Sequence, residues 1–283
     1  MGEMEKILFN NILYSCSTER TRGNENFVAE HSLGYMLEGE MQLQTIKGTE
    51  VIPQGSLVLG KRNQLVKMTK IPSKAGKFQF ISIAFSQDLL HRYAIENKID
   101  VRQKYLGDPH IYLPSDPFLL AYFNSLSPYI GNVATSSQTL STLKLKEALE
   151  LLLQCKPEIE GFLFDFSEPY KIDLEKYMNE NFTYNVPIAN FATLTGRSLA
   201  SFKRDFAEIF NISPRQWLQN RRLSEAHYLI KNKKNKPADI YLDLGFENLT
   251  HFYFSFKKKY GVSPAHLFAY KNEEMGVALS DKF

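Results

Sequence analysis

At 283 residues, with 43% hydrophobic and 23% charged side chains, the chain has the composition of a globular protein long enough for two domains. No apolar run reaches the roughly 18 residues that a membrane-spanning helix requires, which excludes that class from the sequence side. The net charge of +3 is unevenly spread: residues 1–170 hold 17 Lys and Arg against 19 Asp and Glu, residues 171–271 hold 16 against 9, and residues 272–283 hold 1 against 3.

In chain order, the N-terminus MGEMEKILFN lacks a basic region followed by an apolar core, so no signal peptide is expected. Cys16 and Cys155 are the only cysteines and read as free thiols in a reducing cytoplasm. Up to about residue 115 the pattern is mostly β. The short runs SLGYMLEG, EMQLQTI, SLVLG, LVKMTKI and FQFISIAF are separated by Gly, Pro or charged turns. The connections EGE (38–40), KGTE (47–50) and PQGS (53–56) read as hairpin turns, and the whole as a sandwich or small barrel. Residues 86–97 read as a helix. From Asp116 onward the pattern is helical.

Residues 140–154 place Leu140, Leu143, Leu145, Ala148, Leu149 and Leu152 on a wide apolar stripe. Such a stripe must be buried against the β region or a second subunit. Leu145, Leu149 and Leu152 are the expected dimerisation residues. Residues 156–170 hold two prolines and no periodicity. The expected division is therefore 1–160 sensor and dimerisation domain, 161–170 linker, 171–271 helical domain and 272–283 tail. Helices are predicted at 172–182, 188–194, 198–210, 214–230, 237–244, 249–260 and 264–270. Ser213-Pro214 and Ser263-Pro264 each give an N-cap followed by an N1 proline.

The helical region says nearly the same thing twice. FATLTGRSLASFKRDFAEIFNISPRQWL (191–218) parallels IYLDLGFENLTHFYFSFKKKYGVSPAHLF (240–268). Phe202 and Phe252, Phe206 and Phe256, Phe210 and Tyr260, and both Ser-Pro pairs match at an offset of 50. Upstream the offset is 49, which predicts a turn one residue longer in the second copy. Each copy is a short helix, a Gly-containing turn and an amphipathic helix, the sequence shape of a helix-turn-helix. The basic excess sits on this segment, as a phosphate-binding module needs.

In the helix 198–210, Leu199, Phe202, Phe206, Ile209 and Phe210 form the expected buried face. Ser198, Ala200, Ser201, Lys203, Arg204 and Glu208 point elsewhere. Arg204 suits guanine bidentately, Lys203 suits guanine or phosphate, and Ala200 suits a thymine methyl. In the helix 249–260, Leu249, Phe252, Phe256 and Tyr260 are expected inside. Thr250, His251, Tyr253, Phe254 and Ser255 are expected on the surface. Lys257, Lys258 and Lys259 suit phosphate and the helix dipole. Between the copies, Trp217 reads as a core anchor. Arg221 and Arg222 are divided evenly between packing and backbone contact.

The stretch 172–271 resembles the DNA-binding domain of AraC/XylS-family transcription regulators. The residues that carry this are F-A-x3-G-R-S-x3-F-x-R-x-F at 191–206, S-P-x2-W-L-x3-R-L-x2-A-x2-L-I at 213–230, and I-x4-GF-x5-F-x3-FKKKYGVSP at 240–264. The resemblance implies seven helices, with two helix-turn-helix units joined by a long helix. It also implies base-reading positions at Ala200, Lys203, Arg204, Thr250, His251 and Tyr253. Two residues depart from the family pattern. Phe254 stands where a cation is usual, and Tyr241 where a small residue is usual. The N-terminal half resembles the family's cupin-like sensor barrels, most closely those of ExsA-type activators of type III secretion genes, through MLEGEMQLQT, the turn before SLVLG, and LKLKEALELLL. That resemblance implies dimerisation by the helices after the barrel.

The expected fold is therefore α+β, with a cupin-like β-barrel and dimerisation helices followed by an all-α domain with two helix-turn-helix motifs. The expected function is a sequence-specific, DNA-binding activator in the cytoplasm. Its partners would be promoter DNA, RNA polymerase, a second copy of itself, and a small-molecule effector or regulatory protein. The alternative is a ligand- or partner-binding barrel with mainly non-specific nucleic-acid association. No enzyme, cofactor or metal is expected: no nucleophile-base motif or phosphate-binding loop is present, and His31, His91 and His110 are widely spaced.

Overall fold

The computed structural model describes residues 4–9, 11–22, 27–45, 48–99, 105–130, 138–167, 169 and 171–269. The tail expected at 272–283 lies outside the described residues. The chain divides into two compact units, Met1–Glu168 and Pro169–Phe283.

The first unit is built on strands β1 (Met4–Phe9), β2 (Ile12–Ser17), β3 (Thr21–Arg22), β4 (Phe27–Val28), β5 (His31–Glu38), β6 (Glu40–Thr45), β7 (Gly48–Ile52), β8 (Leu57–Gly60), β9 (Gln64–Leu65), β10 (Lys67–Ile71), β11 (Phe78–Phe85) and β12 (His110–Leu113). Its helices are α1 (Gln87–Glu96), α2 (Pro117–Ser125), α3 (Gln138–Cys155) and α4 (Glu160–Leu163). The strands form a six-stranded sheet, β1-β2-β11-β5-β8-β12, a four-stranded sheet, β3-β10-β6-β7, and the pair β4-β9.

Both larger sheets are open, so the expected closed barrel does not form among the described residues. The reason lies in the connections. β6 and β7 pair antiparallel as a hairpin, as expected around KGTE, with Thr45 opposite Gly48. EGE and PQGS are not hairpins: β5 pairs with β11 and β8, whereas β6 pairs with β10 and β7. At each of these two turns the chain leaves one sheet for the other. Gly39 makes the first crossing at φ +83, where a Cβ would lie 2.6 Å from the Ile71 carbonyl oxygen.

Strand periodicity then fills both faces of the larger sheet. Leu33, Leu57, Leu59, Ile81, Ile83 and Phe85 face the helices, in one core with Leu90, Leu119, Phe123, Ala148, Leu149 and Leu152. Met36, Val58 and Phe78 face the other way, in a second core with Met41, Leu43 and Ile52 of the smaller sheet.

This arrangement corrects two expectations. Leu145, Leu149 and Leu152 are buried in their own unit, at 7%, 0% and 0% exposure, and offer no dimerisation surface. The large exposed leucine of α3 is Leu143, at 59%. Residues 161–167 are also no linker. Phe162, Leu163 and Phe164 are buried, Phe162 lies against His31 and Tyr105, and Phe166 stacks on His91 at 3.6 Å. Arg62 donates to the carbonyls of Asp165 and Ser167, and the Tyr105 amide donates to the Asp165 carboxylate. Cys16 and Cys155 are free thiols.

The second unit contains α5 (Leu174–Asn181), α6 (Ile188–Leu194), α7 (Leu199–Phe210), α8 (Pro214–Lys233), α9 (Pro237–Ile240) and α10 (Leu249–Tyr260), and the chain is again helical at 264–269. Each copy of the repeat carries an aromatic ladder: Phe202, Phe206 and Phe210 in the first, Phe252, Phe256 and Tyr260 in the second. α8 is the spine between them. Trp217 near its start packs on Phe206 and Phe210, and His227 further along packs on Phe256 and Tyr260. No helix among the described residues is long and apolar enough to cross a membrane.

Candidate nucleic-acid interface

The two copies present the same local geometry. Gly196 turns at φ +65 and Gly245 at φ +84. Ser198 then caps α7 by accepting from the Ser201 amide, and Asn248 caps α10 by accepting from the His251 amide at 2.7 Å. The glycines are 49 residues apart and the caps 50, so the longer turn expected for the second copy sits between Gly245 and Asn248. One difference is larger than the sequence implies. α9 stops at Ile240 and the chain runs in turns to Gly245, so the helix predicted over 237–244 is a single turn.

On α7, Ser198, Ala200, Lys203 and Arg204 are exposed and Ser201 is half-buried. Leu199 and Ile209, expected inside, are 41% and 42% exposed. Phe202 and Phe206 alone fill the space beneath the helix, with Asp205 beside them. Arg204 is held in place: its Nη2 donates to the Asp205 carboxylate at 3.2 Å and to Ser201 Oγ at 3.4 Å. On α10, Thr250, His251, Phe254, Lys257 and Lys258 are exposed and Tyr253 is half-buried. Ser255, expected outside, is buried and accepts from Gln219 Nε2 of α8. Lys259 departs from its two neighbours. Its ammonium donates to the Asn220 carbonyl at 2.8 Å and to Ser224 Oγ, which ties α10 to α8.

Two supporting groups hold the helices. Asp205 accepts from Arg197 Nε at 3.1 Å and pairs with Lys171 at 2.9 Å. Lys171 and Arg197, bonded to the carboxylate, hold it well below its usual range, at about 2. A depressed carboxylate stabilises the fold above its unfolded value and loses that contribution as pH falls through the folded one. Wild type and Asp205→Asn should therefore differ in stability at pH 7 and converge between about pH 4 and pH 2. Trp217, the sole tryptophan, reports this unit by fluorescence. A gap between the two proteins that persists unchanged at pH 2 would contradict the assignment.

The second group is Arg222. It is buried and donates from Nε to the Phe182 carbonyl at 2.7 Å, from Nη1 to Gly245 at 3.0 Å and from Nη2 to Tyr184 at 2.8 Å. Burial pulls the guanidinium down to about 10, so it remains charged at neutral pH. Arg221 pairs with Glu225 at 3.0 Å and covers the Phe182 ring. Both arginines thus belong to packing. The signal was present in the sequence: Leu218, Arg222, Ala226 and Ile230 share one buried stripe at i, i+4 spacing.

The histidines of the first unit occupy separate settings. His31 is buried against Phe162, His91 stacks on Phe166, and His110 meets Glu50 at 2.8 Å. Among the described residues no group of three or more His, Cys, Asp or Glu side chains is placed to hold a metal ion.

Residues 191–269 match the family model of a helix-turn-helix domain, and residues 31–160 that of the ExsA N-terminal regulatory domain. The chain is 25% identical over 239 residues to the HTH-type transcriptional regulator ExsA of Pseudomonas aeruginosa, covering 83% of this chain and 85% of that one. It is 26% identical over 250 residues to the virulence regulon transcriptional activator VirF of Yersinia enterocolitica, covering 84% and 90%. Among solved structures, ToxT from Vibrio cholerae aligns over 92% of this chain and 98% of its own, at 14% identity and a TM-score of 0.42.

Proposed function

We propose that the chain, which joins an ExsA-type N-terminal regulatory domain to a helix-turn-helix domain, is a member of the AraC-family transcription regulators and a sequence-specific activator that reads promoter DNA with α7 and α10. One observation carries the reading. Two equivalent, capped helices expose matching outward positions on the basic part of the chain. Lys203 and Arg204 are the donors suited to guanine, with Ala200, Ser198 and Ser201 beside them. Thr250, His251 and Tyr253 line the second helix, and Lys257 and Lys258 serve phosphate. Base discrimination by hydrogen bonding rests mainly on the first helix.

RNA polymerase is the proposed second partner, and the cytoplasm the proposed location. The N-terminal unit supplies homodimerisation, through a surface other than the buried leucine stripe, and senses the regulatory signal. Its central sheet has side-chain cores on both faces, which favours a regulatory protein at the surface over a small effector enclosed by strands.

Selection from a randomised duplex library at fixed salt tests the reading. Arg204→Ala should cost about 1–3 kcal/mol on the selected site and relax one base pair. Lys258→Ala should weaken all sequences alike and reduce the salt slope by about 1. Selection of no preferred sequence by wild type favours the alternative, a partner-binding module with salt-sensitive background association.

A further inference from the structure

The internal repeat places Phe254 at the position of Arg204, 50 residues on. Both side chains are exposed, Arg204 with its guanidinium bonded to Asp205 and Phe254 at 69%. We infer that Phe254 is a specificity residue of the second reading helix, and that its ring packs on the 5-methyl group of thymine in the major groove. The inference rests on the proposed DNA-binding function and assigns a base to the position that lacks the expected cation.

A single exposed apolar ring is ordinary on a protein surface, so it is the position of Phe254, the repeat partner of Arg204, that calls for a role. The core does not supply one, because Phe252 and Phe256 on the same helix are both fully buried and fill the ladder beneath it. Nor is the helix that carries the ring loosely placed. α10 is capped by Asn248, joined to α8 through Ser255 and Gln219, and tied to it again by Lys259. Along the exposed face, Thr250 stands one turn before Phe254, and Lys257 and Lys258 one turn after it. The face thus runs from a hydroxyl through an apolar ring to two cations. The cations can hold phosphate while the ring lies over base edges.

The chemistry of the groove then selects the base. The thymine methyl is the apolar group that base pairs present in the major groove. A phenyl ring has no donor for guanine O6 or N7 and no acceptor for the cytosine amine. Over a G·C pair it would strip water from those groups and return no hydrogen bond. Discrimination therefore comes from a gain at thymine and from a loss at the other bases. The expected site is bipartite, with guanine preferred under Arg204 and thymine under Phe254.

The test uses the full chain and a duplex selected from a randomised library. The half contacted by α7 is identified as the one whose preference changes in Arg204→Ala. In the other half, each thymine is replaced in turn by deoxyuridine, which removes only the methyl group. At one or two positions wild type should lose roughly fourfold in affinity, the worth of one buried methyl-sized group. Phe254→Ala should bind the thymine and uridine duplexes equally, and Phe254→Leu should keep part of the preference. Phe254→Arg should shift the selected base at that position toward guanine. The substitutions lie on an exposed position, so each variant should retain wild-type Trp217 fluorescence. A clear preferred site on which no uridine replacement matters, or an unchanged thymine-to-uridine ratio in Phe254→Ala, overturns this inference alone and points to the ring as a protein contact. Selection of no preferred site by wild type overturns the DNA-reading proposal itself, and this inference with it.

Discussion

Arg222→Leu is expected to destabilise the helix-turn-helix unit by about 3–5 kcal/mol. The guanidinium satisfies the carbonyls of Phe182, Tyr184 and Gly245 inside the fold. Leucine fills part of the volume but leaves three buried acceptors unpaired, at about 1–3 kcal/mol each before relaxation and water entry. Arg222→Lys should recover little. A single ammonium on a flexible stem cannot meet three carbonyls in the directions that a planar fork does. Gly245 belongs to the same node. At φ +84, a Cβ there would lie 2.6 Å from the Thr183 carbonyl oxygen and 3.0 Å from Arg222 Cζ. Urea unfolding followed by Trp217 fluorescence measures the cost. A loss below about 1 kcal/mol for Arg222→Leu would mean that the three carbonyls find water without disturbing the fold.

Leu149→Ala is expected to destabilise the N-terminal unit by about 2–5 kcal/mol, the range for a fully buried leucine truncated to leave a cavity. Leu149 is 0% exposed, packed with Leu119, Phe123, Ala148 and Leu152 over the larger sheet. Leu143→Ala on the same helix should change stability by no more than about 0.5 kcal/mol, since Leu143 is 59% exposed. Amide hydrogen exchange in β11, a central strand of that sheet, is the readout, with sedimentation run in parallel. If Leu149→Ala altered only the association state and left β11 protection intact, the leucine stripe would be an intersubunit seam after all.

The helical unit was largely legible because its determinants are local. Phe202 and Phe206, like Phe252 and Phe256, are four residues apart, so their spacing alone marks the buried face. The caps at Ser213 and Ser263 were legible for the same reason: a Ser side chain reaches an amide three residues ahead. Repetition at a near-constant offset then defined both repeated helices and the extra residue in the second turn. Where neighbours in space decide burial, periodicity misled. Leu199 and Ile209 lie on the apolar side of the helix but extend past the core that Phe202 and Phe206 fill. Ser255 reads as a surface residue until Gln219 meets it from α8.

In the N-terminal unit the sequence determined the individual strands, since alternation is a property of consecutive residues. The tertiary structure alone decided which strands pair. Ala84 of β11 is joined to Asn11 across 73 residues, and nothing local distinguishes a hairpin at EGE from a crossing between sheets. The same holds for residues 161–167, part of the stretch 156–170 whose two prolines and irregular aromatics read as a linker. Their partners, His31, Arg62, His91 and Tyr105, lie 57 to 131 residues earlier when counted from Phe162, Asp165, Phe166 and Phe162. The sequence by itself thus determined the number and position of the two repeated helices and the aromatic core beneath each, because a helix writes its buried side into every three or four residues. Only the tertiary structure decided that the leucine stripe is internal, that the sheets stay open and that Arg222 clamps the domain, because each of these depends on groups brought together from distant parts of the chain.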